Sequence, residues 1–291
     1  MIDATMGNSK RDATRPTIRL VTLLLLAYAA NAQMREGFAP VPGARIFYRD
    51  SGGNGTAVVL LHSASGTNEV WEHQVSAFAL SGYRVIAYDR RGWGRSTDDP
   101  GNDKPWTATG DLLALVDDLG IERFHLVATA LGGYVGFDFA LSHPERLRSL
   151  VIANSLGGLQ DEQLLDLGRR LRPQGFDGLP PDFRELGPAF RAADPVGVQR
   201  WLEYEKNSRH NAQSSTPLQH RLTLAILETI QSPVLLLTGG ADLYAPPALQ
   251  NKFAAHIKYS EAAVVPDAGH SVFWEQPTAF NRLVLAFLSK H

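Results

Sequence analysis

Asp242 and His270 are the two residues whose types and settings best suit proton-transfer chemistry. Each lies just beyond a compact apolar run, residues 234–237 for the aspartate and 262–265 for the histidine. A carboxylate that holds an imidazole in one tautomer makes it a base towards a hydroxyl, a water molecule or an acidic carbon. Taken alone, a histidine after glycine is commonly a surface or packing residue. An aspartate ahead of Pro246 and Pro247 can simply open a turn. Their shared position after buried strands makes base and acid the stronger reading. A third stretch, residues 124–133, reads as strand, tight turn and helix start, with small residues that let the turn pack closely. With no cysteine in the chain, a thiol nucleophile, thiolate zinc sites and disulfides are all excluded.

These loops need a scaffold that brings them together, and strand-like and helix-like segments alternate along the chain. Residues 45–49 read as an edge strand followed by the turn Gly52-Gly53-Asn54-Gly55, and residues 57–61 and 83–88 as strands. Residues 107–119 form an amphipathic pattern stopped by Gly120; residues 124–129 and 147–153 read as strands around a helix ending near Ser142. From about 156 to 229 only helical stretches broken by Gly and Pro appear. Strand character then returns at 234–237 and 262–265, and a helix over 278–288 closes the chain. The pattern predicts an α/β fold, a mostly parallel central sheet flanked by helices. Residues 33–155 and 231–291 form its core and 156–230 a helical cap, of the kind that selects substrates and excludes water.

Phe124-His125-Leu126-Val127-Ala128-Thr129-Ala130-Leu131-Gly132-Gly133 resembles the nucleophile elbow of the α/β-hydrolase superfamily, G-x-S-x-G. On that pattern Ala128 replaces the first glycine and Ala130 stands at the nucleophile. His62-Ser63-Ala64-Ser65-Gly66 is similar to the oxyanion loop, with Ser63 in place of its usual glycine. Residues 88–96 look like the D-x-R-G-x-G-x-S turn, and Gly239-Gly240-Ala241-Asp242 like the acid loop. Gly269-His270 with Glu275 and Pro277 looks like the G-H-x-x-x-x-E-x-P segment. The order elbow, acid, histidine is the family's, and the likeness spans residue 45 to the C-terminus. It lies with small capped esterases, lactonases and C–C bond hydrolases. It implies Asp242 as acid, His270 as base and the amides of Leu131 and Ala64 as oxyanion donors. His62, Asp89 and Arg91 read as loop-knitting residues, and Glu275 as a helix N-terminal cap.

A methyl group cannot attack a carbonyl, so Ala130 rules out ordinary covalent acyl transfer. Thr129 does not substitute, because placing it at the tip would put Leu131 where the pattern needs glycine. Either serine was removed by design or the protein naturally lacks it; Ala128, a second departure in the same motif, favours the natural reading, as does the leader still in place. His270 held by Asp242 can still take a proton from water or an acidic substrate, and the backbone donors need no side chain. The leading expectation is an enzyme acting on a small, mainly apolar carbonyl substrate (ester, lactone or C–C bond type) with no cofactor and no metal. A non-catalytic ligand-binding or sensor protein, and a cofactor-free oxygenase- or lyase-like dyad enzyme, remain open beside it. In the cap segment, Arg169, Arg170, Arg172, Arg184, Arg191, Arg200, Arg209 and Arg221 alternate with Phe176, Phe183, Phe190, Trp201 and Tyr204. An aromatic lid with one inward arginine suits a hydrophobic carbonyl compound bearing a carboxylate or enolate.

With 28 basic and 30 acidic residues the net charge of -2 offers no field for nucleic acid, so a small-molecule substrate is the expected partner. Lys10, Arg11, Arg15 and Arg19 precede an apolar run over 20–30 that is too short to span a bilayer, followed by Ala30-Asn31-Ala32. Residues 1–32 thus read as a signal peptide, giving an exported product from Gln33 without stable membrane insertion. A cytoplasmic product opening at Met34 is the alternative.

Overall fold

A computed structural model describes residues 34–101, 105–208 and 216–291. The leader with its Ala30-Asn31-Ala32 site, Gln33 and Arg209 lie outside the described residues. Strands β1 (Arg35–Val41) and β2 (Ala44–Asp50) pair antiparallel along their length through a turn at Gly43, whose φ is 72°. The edge strand is therefore β1, and residues 45–49 form the second strand instead. Only Ala39 and Val41 of β1 are buried, and Pro40 fits because an edge strand spares the ladder bond it cannot make. That half-polar pattern hides the strand in the sequence.

The remaining strands are β3 (Ala57–Leu61), β4 (Arg84–Tyr88), the short β5 (Thr97–Asp98), β6 (Phe124–Thr129), β7 (Leu147–Ala153), β8 (Val234–Gly239) and β9 (Ser260–Val265). Their order is β1-β2-β4-β3-β6-β7-β8-β9, with β5 on β2. Every pairing from β4 to β9 is parallel. Helices α1 (Glu72–Leu80), α2 (Ala108–Asp118), α3 (Leu131–Ser142), α8 (Pro247–Ala254) and α9 (Pro277–Leu288) accompany the sheet. Helices α4 (Glu162–Leu171), α5 (Pro181–Glu185), α6 (Pro188–Ala193) and α7 (Pro195–Asn207) lie between β7 and β8 in sequence.

Successive strand side chains go to opposite faces. Val59, Leu126 and Ile152 pack with Leu112, Phe137 and Phe253 from α2, α3 and α8. Val58, Val127 and Val151 pack on the other face with Trp71, Phe78 and Phe280. Full burial of each such side chain is worth ~1.5–3 kcal/mol, and covering both faces is what a parallel sheet demands. Residues 34–291 form one compact unit. Among the described residues no helix is long and apolar enough to cross a membrane. The loops leaving β3, β6, β7 and β8 emerge side by side at the carboxyl ends of parallel strands, where open α/β sheets bind ligands.

Candidate active site

β6 ends at Thr129, α3 begins at Leu131, and Ala130 between them holds φ 47° and ψ −116°. A non-glycine residue there costs on the order of 1–3 kcal/mol and persists only where neighbours over-determine it. They do: Ala130 N donates to Ala153 O at 3.0 Å, while its carbonyl accepts from Gly133 N at 3.0 Å and Ser155 Oγ at 2.6 Å. The helix must also come close to β3, since a Cβ on Gly132 would stand 2.6 Å from the Leu61 carbonyl. Ala128 is accommodated because the facing helix residue is Gly136. The Thr129 hydroxyl is buried without a hydrogen-bond partner and lies outside the cavity.

Asp242 is buried, and its carboxylate is held from several sides. Oδ1 accepts from the amides of Tyr244 at 2.8 Å and Ala245 at 2.9 Å; Oδ2 accepts from Asn154 Nδ2 at 3.0 Å. His270 Nδ1 stands 2.9 Å from each carboxylate oxygen. Burial works against the Asp242 charge, but His270 and these hydrogen bonds more than offset it and lower its pKa. Burial likewise opposes the imidazolium, yet the charge and the hydrogen bond of Asp242 push His270 up to about 9. The structure thus brings together the two residues singled out for acid and base, and a cavity of about 730 Å³ opens over His270, Ala130, Leu131 and Ala64. Leu131 opens α3, whose first amides have no partner within the helix. In the same lining, the Ala64 carbonyl accepts from Trp93 Nε1 at 2.9 Å and Ser208 Oγ at 3.2 Å.

Three serines line the cavity, and their hydroxyls are engaged elsewhere: Ser65 with Ser63 at 3.0 Å, Ser155 with Ala130 O, and Ser208 with Ala64 O and Glu205 O. Among the described residues none is hydrogen bonded to His270. His62 knits loops, donating from Nδ1 to Ser63 O at 2.6 Å and accepting the Arg90 amide at 3.0 Å. Asp89 accepts from Asn68 and Arg95, and Arg91 clasps Asp111. Glu275, read as a helix N-terminal cap, reaches back to the amide of Ser271, the N-cap of its own helical turn Val272–Glu275, and holds two further amides besides. Its buried carboxylate accepts the amides of Gly187 at 2.8 Å, Gly269 at 2.9 Å and Ser271 at 3.1 Å. It thereby ties the α5–α6 junction to the loop that carries His270.

The wall differs from the aromatic lid expected. Among the described residues Phe176, Phe183, Phe190, Trp201 and Tyr204 do not line the cavity, and its aromatic rings are Tyr134 and Tyr244. Tyr244 sits 4.6 Å from the His270 ring. Of the cap arginines, Arg172 and Arg184 line it, joined by Lys206, Glu185 and Glu205. The other described ones pair elsewhere: Arg169 and Arg170 with Asp166, Arg191 with the Leu186 carbonyl, Arg200 with Glu72 and Arg221 with Gln160. Which arginines face inward depends on how short helices dock, which helical periodicity does not encode. Among the described residues no group of three or more histidine or acidic side chains is arranged to hold a metal ion.

This strand order, the strained turn after β6 and the Asp242–His270 pair coincide with a match to the model of the Alpha/beta hydrolase family over residues 58–283. The chain belongs to that family and is an enzyme of its hydrolase class. It is 30% identical over 270 residues to the 2-hydroxy-6-oxononadienedioate/2-hydroxy-6-oxononatrienedioate hydrolase of Burkholderia vietnamiensis, covering 84% of this chain and 91% of that one. A thermophilic esterase from Thermogutta terrifontis superposes with a TM-score of 0.73 at 25% identity, covering 89% of this chain and 99% of the other. The enol-lactonase from Burkholderia xenovorans LB400 gives 0.69 at 26% identity, covering 87% and 100%.

Proposed function

We propose that this protein cleaves a small carbonyl compound bearing a carboxylate, an ester, lactone or C–C bond substrate, without an external cofactor and without a serine nucleophile. His270, oriented by Asp242, removes a proton from a water molecule in the space that Ala130 leaves at the elbow. The water oxygen bonds to the carbonyl carbon, and the displaced electron pair settles on the carbonyl oxygen, near the Leu131 and Ala64 amides. One observation carries this reading: the paired His270 and Asp242 beside the same cavity as the elbow. Arg172, Arg184 and Lys206 in the wall favour an anionic substrate over a mainly apolar one. The relative named for a dioate points the same way.

The test is a panel of aryl esters, lactones and vinylogous diketones with and without carboxylates, comparing the protein with His270→Ala. Turnover that vanishes in the variant supports the enzyme; tight binding without turnover in either favours a ligand-binding protein. We further propose that residues 1–32 direct export and that the mature chain begins near Gln33. Intact-mass measurement of the native protein checks this, and a cytoplasmic species retaining those residues defeats it.

A further inference from the structure

We infer that Glu185, from the cap segment, carries the proton that the leaving group takes up, as a neutral carboxylic acid in the cavity it shares with the base His270. The inference rests on the hydrolytic reading above. Glu185 is the last residue of α5 and lines the same cavity as His270 and Ala130. Its backbone is locked against the base loop, since its carbonyl accepts the His270 amide at 2.7 Å. One carboxylate oxygen, Oε2, is enclosed and has no hydrogen-bond donor. An ionised carboxylate with a bare enclosed oxygen is costly, whereas the protonated form leaves only a weaker acceptor unpaired.

The groups facing it act in both directions. Burial raises its pKa; the His270 charge and Arg184 lower it, while Asp242 and Glu205 raise it further, for a net rise. Tyr244, whose ring lies tilted at 41° against that of His270, is raised mainly by burial. A carboxyl kept neutral beside an imidazole base gives the two proton carriers a hydrolysis needs when no serine intervenes. After water has lost its proton to His270 and added to the carbonyl carbon, the oxyanion re-forms the C=O bond and the bond to the leaving group breaks. That group takes the proton of Glu185. The imidazolium of His270 then gives its proton to solvent, the Glu185 carboxylate takes one up from it, and both groups are reset.

The test compares the full-length protein with Glu185→Gln and Glu185→Asp on a carboxylated alkyl ester and its 4-nitrophenyl counterpart. An alkoxide needs a proton to depart and a nitrophenolate does not. The ratio of alkyl to nitrophenyl turnover should fall by ~10² in Glu185→Gln and partly recover in Glu185→Asp. Infrared difference spectra of the parent against Glu185→Gln should show a protonated carboxyl band at neutral pH. An unchanged ratio, or no such band, overturns the donor role and leaves the functional reading standing. A parent that turns over neither ester, nor anything else in the panel, defeats the functional reading and the donor role with it.

Discussion

Asn154 donates from Nδ2 to Asp242 Oδ2 at 3.0 Å and also reaches the Gly269 carbonyl at 3.1 Å. One amide from the end of β7 therefore holds both the acid and the loop that carries the base. Asn154 does so from a backbone with φ 50°, a conformation asparagine tolerates better than most residues. Asn154→Ala should cost about 1–3 kcal/mol in urea unfolding, because a buried carboxylate oxygen loses a donor. Turnover should drop with it. Unchanged stability and unchanged turnover would show that the remaining donors suffice.

Restoring the missing oxygen should restore nucleophilic catalysis. Ala130 already occupies the strained turn beside the cavity, so Ala130→Ser places a hydroxyl there without rebuilding the backbone. Hydrolysis of short aryl esters should rise by roughly 10²–10⁴ and show a burst of product. Adding His270→Ala should remove the gain. A folded Ala130→Ser that stays silent on every ester and lactone means the cavity has diverged beyond one atom.

Removing the Glu275 carboxylate strands three buried amides. Hydrogen bonds to a charged group are worth about 1.5–3 kcal/mol each before relaxation. Glu275→Ala should therefore lower stability by at least about 1.5 kcal/mol and free the α5–α6 junction from the base loop. Chemical denaturation reads the first effect. Hydrogen exchange at Gly187 and Gly269 reads the second.

The elevated pKa of His270 has two consequences for pH. Because the folded value of about 9 lies above the ordinary 6.5, the charged pair stabilises the fold fully below about 6.5 and loses that contribution as pH rises through about 9. Denaturation midpoints of the parent should fall across that window, and His270→Ala should lack the slope. As a base His270 works only when neutral, so turnover of a 4-nitrophenyl ester, whose leaving group needs no proton, should climb with pH over the same interval. Turnover that is flat there would remove His270 from the base role.

Much of the scaffold is legible in the amino-acid sequence because its causes are local. Unbroken aliphatic runs such as residues 57–61 and 234–237 mark strands buried on both faces, and Thr107 and Gly120 bracket α2 through its caps. The small residues around Ala130 declare a tight turn, and the spacing of glycine, Asp242 and His270 declares loops at strand ends. β1 escapes because an edge strand buries few of its residues, here Ala39 and Val41, and tolerates Pro40.

The contents of the cavity were decided by the tertiary structure alone. Asn154 meets Asp242 across 88 positions and Gly269 across 115, and Glu275 meets Gly187 across 88. Nothing in the neighbouring sequence distinguishes Arg172, Arg184 and Glu185, which line the cavity, from Arg169 and Arg170, which pair with Asp166 at the surface. Short helices started by prolines dock according to the surfaces they meet, and a rotation of one residue turns a side chain by a quarter of the helix or more. Neighbouring residues set strand, turn and cap, whereas charge at the site depends on which distant groups share one enclosed volume, and only the folded packing determines that.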